Sequence, residues 1–288
     1  MKIFQIKKTF LVILIFSSLF NFLPSSAESN FKPPVLNSTD LAFNGAITAI
    51  TVDEMTGIVY VGGDFTKVGE IERNHLAAIE TDGTLKDWNP NANDQVVALA
   101  INDSTIYVSG YFTKVGKKKR NYLAAIGTNG VIKRWNPTAN AHPSDSGIFP
   151  LAISGSTIYA GGTFTKIGGI KRHHLAAIGT DGILKDWNPN VNDSVNGFSS
   201  AAYVSALAIN GSTIYIGGYF NKVGDKTRIG LAAIRTDGTL LDWVPDIVAI
   251  PFAIVVSKSM IYVGGLIGKA GDDKPSNFAS FSIPDSSQ

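Results

Sequence analysis

Short apolar runs broken by Gly, Asn, Asp, Ser and Pro follow one another from Ile47 to Ile283, and nothing between them carries a helical apolar period. The chain is therefore predicted to be all β. The runs recur as a unit. Val59-Tyr60-Val61-Gly62-Gly63-Asp64-Phe65-Thr66-Lys67-Val68-Gly69 returns at 106–116, 158–168 and 214–224, and a worn fifth copy begins at Ile261-Tyr262-Val263-Gly264-Gly265. A second half follows each time: Leu76-Ala77-Ala78-Ile79, Thr81-Asp82-Gly83 and Trp88-Asn89-Pro90 return at 123–137, 175–189 and 231–245, with Asn129 in place of the aspartate in the second copy and Val244 in place of the asparagine in the fourth. A unit of about fifty residues cannot close its own core, so the copies must stack on one another.

Each copy holds four such runs, labelled A to D by position; in the second copy they are 97–101, 106–108, 122–126 and 131–135. The Asp-Gly or Asn-Gly pair between C and D predicts a tight two-residue hairpin with positive φ at both residues. The A to B turns, such as Asn102-Asp103-Ser104 and Asn210-Gly211-Ser212, are as short. Each unit thus reads as a four-stranded antiparallel blade, and Trp88, Trp135, Trp187 and Trp243 read as anchors of blade-to-blade packing.

The fifth copy lacks a Trp-bearing strand D, while Leu41-Ala42-Phe43-Asn44 precedes the first strand A where Trp-Asn-Pro stands in the others. The simplest closure has the N-terminal segment supply the outer strand of the last blade, which removes two open sheet edges. The expectation is a five-bladed β-propeller. Its closing strand falls at about 38–45 and its repeats at about 46–92, 93–140, 141–192, 193–246 and 247–288.

Before the repeats, Lys2, Lys7 and Lys8 precede an apolar run from Phe10 to Phe22, and Ser25-Ser26-Ala27 offers a cleavage site. Residues 1–27 read as a signal peptide and 28–288 as one exported domain, secreted, periplasmic or at the cell surface, without a transmembrane anchor after cleavage. The chain has 0 Cys, hence neither a disulfide framework nor a thiolate metal site. Removing the three leader lysines leaves 22 basic and 23 acidic residues, and that balance does not suggest nucleic acid.

The succession Tyr-Val-Gly-Gly-x-Phe-Thr, Arg-Asn-x-Leu-Ala-Ala-Ile, Thr-Asp-Gly and aromatic-Asn-Pro resembles the delta-60 repeat family of bacterial secreted and surface β-propellers. The resemblance covers about 44–283 and departs in the fifth copy at Leu266-Ile267-Gly268 and Pro275. It implies a propeller in an extracellular setting and no common activity.

Function on a repeat scaffold is sought where the copies differ. Tyr60, Tyr107, Tyr159, Tyr215 and Tyr262 are spaced by 47, 52, 56 and 47 residues, and the excess lies in two D to A connectors, 138–150 and 190–204. Antiparallel order puts those connectors and the B to C loops on one face, where insertions in repeat proteins gather. Formal charge in the five B to C loops runs −1, +5, +3, +2 and 0. Lys117, Lys118, Lys119, Arg120, Lys171 and Arg172, with the insertion aromatics Phe149, Phe198 and Tyr203, are the candidate ligand-binding residues. Such a patch suits an extracellular protein or an acidic glycan. A structural role competes for Lys67, Lys114, Lys166, Lys222 and Lys269, which share one repeat position, and for Arg73, Arg120, Arg172 and Arg228, which share another, since each set could pair or bond loop carbonyls in the same way in every copy.

Catalytic chemistry finds little footing. His75 and His174 share a position with Tyr122, Gly230 and Asn277, so they read as tolerated loop residues, and no carboxylate spacing completes a metal site. Asn89-Pro90-Asn91-Ala92-Asn93-Asp94 could offer oxygens to calcium but is first a turn signal. No strand A carries an Asp or Glu, which argues against a glycosidase centred on the propeller axis, and the polar centre of a quinoprotein is lacking too. The expectation is a non-enzymatic, adhesin-like binding propeller without cofactor, with a sugar-binding lectin as the alternative and an enzyme behind both.

Overall fold

The computed structural model describes residues 41–140, 150–192, 202–268 and 276–283. The expected signal peptide, residues 38–40 of the expected closing strand, and the middle of both long connectors, with Phe149 and Phe198, lie outside these residues. All regular elements among the described residues are β-strands. Each repeat gives a three-stranded antiparallel sheet with strand B in the middle. The A, B and C strands of the first repeat are Ala46–Val52, Val59–Asp64 and Leu76–Ile79, and those of the second are Val96–Asn102, Thr105–Gly110 and Leu123–Gly127. The third has Leu151–Ser154, Thr157–Gly161 and Leu175–Gly179; the fourth Tyr203–Asn210, Thr213–Tyr219 and Leu231–Arg235; the fifth Val248–Val256, Met260–Gly268 and Ser276–Ser282.

Strand D is shorter than expected. In the first four repeats it amounts to one bridge, Leu85 to Ile79, Ile132 to Ile126, Leu184 to Ile178 and Leu240 to Ile234, made in the first by Glu80 N–H to Thr84 O at 2.9 Å and Lys86 N–H to Ala78 O at 2.8 Å. The turn before it also differs from the two-residue form. Only the glycine has positive φ, 85° at Gly83 and 81° at Gly130, and the preceding Asp or Asn folds back instead. Asp82 Oδ1 accepts from Thr84 N–H at 2.9 Å and Asn129 Oδ1 from Val131 N–H at 3.1 Å, which makes a three-residue Asx-type loop.

The chain leaves this rung so that each tryptophan crosses to the next repeat. Trp88, Trp135 and Trp187 donate from Nε1 to the carbonyls of Gly127, Gly179 and Arg235 at 3.0, 2.9 and 3.0 Å. Each meets the tyrosine of its own strand B edge-on at ring distances of 5.0, 5.1 and 5.0 Å. Four apolar clusters result, each drawn from two successive repeats, as expected for stacked blades; the first joins Tyr60, Leu76 and Trp88 to Val96, Ile106 and Phe112.

The Gly-Gly pair of strand B is explained by close approach on both sides. A Cβ at Gly62 would stand 2.6 Å from Val96 of the next repeat, and one at Gly63 would stand 2.0 Å from the Ala46 carbonyl oxygen of its own strand A. Strand A residues from all five repeats, among them Thr48, Leu99, Leu151, Leu207 and Ile254, line one central cavity of about 30 Å³. Its described walls carry no carboxylate.

The fifth repeat and the N-terminal segment are the exceptions. Tyr262 and Phe278 stand where Tyr215 and Leu231 stand in the fourth repeat, yet they are 37% and 60% exposed against 2% and 1%. The described part of the N-terminal segment, Leu41 to Asn44, is held by the first repeat: Phe43 bridges Val68 and packs edge-on against Phe65 at 4.8 Å.

Candidate functional site

The loop-bearing face is built from small hairpins between strands B and C. Their strands are Lys67–Val68 with Ile71–Glu72, Lys114–Val115 with Lys118–Lys119, Lys166–Ile167 with Ile170–Lys171, and Lys222–Val223 with Lys226–Thr227. A glycine opens each turn with positive φ, 57° at Gly69, 53° at Gly116, 59° at Gly168 and 57° at Gly224, a conformation that leaves little room for a Cβ. The valine or isoleucine after the first lysine is buried, and the lysine itself is exposed in all four hairpins. Apolar packing therefore fixes one face of the hairpin and leaves the other to solvent.

An asparagine clamps each of the first three hairpins to the incoming connector. Asn93 Oδ1 accepts from Thr113 N–H at 2.9 Å and Lys114 N–H at 2.7 Å, while Asn93 Nδ2 donates to Thr113 Oγ1 at 3.1 Å. Asn44 makes the same three bonds to Thr66 and Lys67, and Asn140 makes them to Thr165 and Lys166. Ala92, Ala139 and Val191 bridge Val115, Ile167 and Val223, so connectors and hairpins do share one surface. The Asn-Pro-Asn-x-Asn runs are thus turn and clamp, and Asn93 Oδ1 is already engaged by two amides.

The repeated arginines belong to the framework. Arg73, Arg120, Arg172 and Arg228 are all buried; Nη1 donates to the preceding residue's carbonyl and Nη2 to the carbonyl of Lys86, Lys133, Lys185 or Leu241. This removes Arg120 and Arg172 from the candidate contact residues. Burial holds the Arg120 guanidinium below the ordinary arginine value. An acid stands beside three of these arginines, Asp87, Asp186 and Asp242 at 3.6, 3.9 and 3.2 Å. At the matching position of the second repeat, just before the tryptophan, stands the exposed Arg134.

The candidate lysines separate by register. Lys117 lies at the hairpin turn, Lys118 sends Nζ to the Ile132 carbonyl at 2.9 Å, and Lys119 stands directly opposite Lys114. Lys171 stands opposite Lys166 in the same way. In the first repeat the partner of Lys67 is Glu72, and in the fourth that of Lys222 is Thr227. Among the four described hairpins, like charges face each other in register in the second and third. The repeat pattern flagged the charge excess, but the opposition appears only once the register is known.

Tyr203 lies apart from the lysines, on strand A of the fourth repeat. Its ring stacks on Tyr219 across the strand pair at 6.0 Å and 26°, and burial, then Tyr219, push its hydroxyl above the usual phenol value. His75, Tyr122 and His174 have φ of 63°, 68° and 62°, and Gly230 at the same position has 70°. They read correctly as loop residues, and the glycine was the visible sign of the backbone they adopt. His75 Nδ1 lies 3.1 Å from the Gly63 carbonyl oxygen. Among the described residues no group of three His, Cys, Asp or Glu side chains could hold a metal ion, and no helix is long and apolar enough to cross a membrane.

Fold and repeats together define a β-propeller repeat protein. A family model described as "Domain of unknown function (DUF5122) beta-propeller" matches residues 57–85 and 213–240. No curated protein matches the chain. Among solved structures, the computationally designed Ika8 protein is similar at 17% identity and a TM-score of 0.41, over 82% of this chain and 75% of that one. A chain of a nidogen/laminin complex is similar at 9% identity and a TM-score of 0.45, over 81% of this chain and 80% of that one. The designed Ika4 protein has 14% identity and a TM-score of 0.29, over 84% and 93%.

Proposed function

We propose that this chain is an exported, non-enzymatic binding propeller, adhesin-like, which recognises an acidic extracellular ligand through the hairpins of its second and third repeats. The observation that carries the reading is the charge of five equivalent loops, −1, +5, +3, +2 and 0, on a mature chain whose 22 basic and 23 acidic residues nearly cancel. A framework role needs the same charge in each copy. The unequal part, Lys117, Lys119 and Lys171, is exposed, whereas the shared arginines are buried. The uncharged cavity wall and the engaged Asn clamps favour binding over catalysis.

The test is a screen of the mature protein, residues 28–288, against anionic and neutral glycans and acidic extracellular proteins at two salt concentrations. Replacing Lys117, Lys118, Lys119 and Lys171 together by Ser should preserve the fold, weaken binding and flatten its salt response. Unchanged affinity would return these lysines to solvated loop. A lectin reading rests on the stacked, partly exposed Tyr203–Tyr219 pair, and neutral-sugar binding insensitive to salt would favour it.

The finer architecture belongs to the same proposal: five blades of the delta-60 type, closed by the N-terminal segment. Ala42, Phe43 and Asn44 take the partners on the first hairpin that Asn91, Ala92 and Asn93 take on the second, for Gly69 N–H bonds Ala42 O as Gly116 N–H bonds Asn91 O. The closure predicts that a chain starting at Gly45 melts at a lower temperature than one starting at Glu28 and associates through its exposed sheet edges. Equal melting temperatures and monomeric behaviour for the two chains would argue against it.

A further inference from the structure

The first hairpin places Lys67 opposite Glu72, whereas the second and third place Lys114 opposite Lys119 and Lys166 opposite Lys171. Directly opposed side chains on paired strands lie close, and like charges there repel. The backbone beneath each pair is fixed, so the lysines can part only by bending their side chains. The Asn93 and Asn140 clamps tie the first strand of each hairpin to the connector, and buried Val115 and Ile167 anchor it. Each lysine pair is exposed. Repulsion in a fixed frame is relieved by an anionic group between the two ammonium ions, and the two pairs occupy equivalent places on successive repeats.

We propose that Lys114–Lys119 and Lys166–Lys171 are two anion-holding points that together grip a linear acidic polysaccharide lying across the second and third hairpins. The inference rests on the acidic-ligand reading above and names its chemistry. Exposed lysine pairs hold one small anion weakly, whereas a chain with regularly spaced sulfates or carboxylates occupies both points and multiplies the affinity. The hairpins favour a polysaccharide over a nucleic acid, because 114–119 and 166–171 contain no aromatic residue on which a base could stack. Arg134, in place of the acid found in the first, third and fourth repeats, takes a repelling carboxylate away from the same flank.

The experiment titrates the mature protein with dextran sulfate and, separately, with inorganic sulfate at low and moderate salt. Wild type should bind the polymer far more tightly than the ion. Lys119→Glu or Lys171→Glu, which copies the first hairpin, should weaken polymer binding by roughly tenfold, and Glu72→Lys, which builds a third pair, should strengthen it. Lys117→Glu makes the same change in net charge at the turn, outside a pair, and should weaken binding much less. Equal losses for Lys117→Glu and Lys119→Glu, with no gain from Glu72→Lys, would overturn the paired sites while leaving the acidic-ligand reading standing. Equal affinity for inorganic sulfate and the polymer would overturn the linear ligand, as would preference for a single-stranded oligonucleotide of equal charge. No binding of any anion by folded wild type would overturn both inferences. Should Lys119→Glu fail to fold, Lys119→Gln and Glu72→Lys still decide the matter.

Discussion

The hairpins of the first and second repeats share nearly every bond and differ in almost every charge. Both are clamped by an asparagine, opened by a left-handed glycine, anchored by a buried valine and backed by a buried arginine on two carbonyls. On the exposed face the first pairs Lys67 with Glu72 and has Asp87 nearby, whereas the second pairs Lys114 with Lys119 and has Arg134. Shared bonds mark the scaffold. The residues that differ can vary because the scaffold no longer depends on them, and they are where a ligand can be chosen.

If the scaffolds are equivalent, damage to them should be equivalent and large. Trp88→Ala and Trp135→Ala each remove a ring packed edge-on against a tyrosine and a bond to the next repeat. Each should cost about 3–5 kcal/mol in chemical denaturation. A near-neutral Trp135→Ala that abolished ligand binding would move that ring from the core to the site and break the comparison.

The asparagine clamps come next. Asn93→Ala and Asn140→Ala delete three bonds each and should lower stability by about 1–2 kcal/mol. They should also speed amide exchange at Lys114 and Lys166, measured residue by residue. Exchange rates unchanged from wild type would mean that the buried valine or isoleucine alone holds the hairpin.

Much of this scaffold was legible before any coordinates, because a repeat displays its structural residues by copying them. The tryptophans, the loop arginines and the shared loop face were each read from recurrence alone. What escaped depends on register and on backbone angles. The Asp-Gly pairs looked like two-residue turns because the sequence does not reveal that the aspartate stays at negative φ and caps its own loop. Strand D looked full-length because its apolar residue repeats, although only one rung forms before the tryptophan leaves the sheet. The lysine pairs escaped for the same kind of reason: 114 and 119 become partners only when the hairpin turn is fixed at Gly116 and Lys117.

A smaller effect tests the flank. Arg134→Asp would give Arg120 the acid that Arg73, Arg172 and Arg228 already have. Because Asp87, Asp186 and Asp242 are fully exposed, the gain should be small and should vanish in high salt. Thermal melts at two ionic strengths would read it, and a loss of stability at low salt would mean that Arg134 makes contacts of its own.

The smallest effect bears most directly on the lysine pairs. Exchanging the two hairpins' charges should shift stability in opposite directions: Lys119→Glu replaces a like-charge pair by an opposite pair, and Glu72→Lys does the reverse. Directly opposed side chains on a strand pair contribute about 0.2–1 kcal/mol, and solvent exposure keeps these two near the lower end. The expected result is a slightly higher melting temperature for Lys119→Glu and a slightly lower one for Glu72→Lys, both differences shrinking as salt is added. Added dextran sulfate should invert the order, because the variant that is less stable alone has the additional pair to stabilise by binding. Binding sites are ordinarily placed at such a cost to the unliganded fold. If the order of melting temperatures does not change with the polymer present, the opposed lysines are only a tolerated repulsion on a solvated loop.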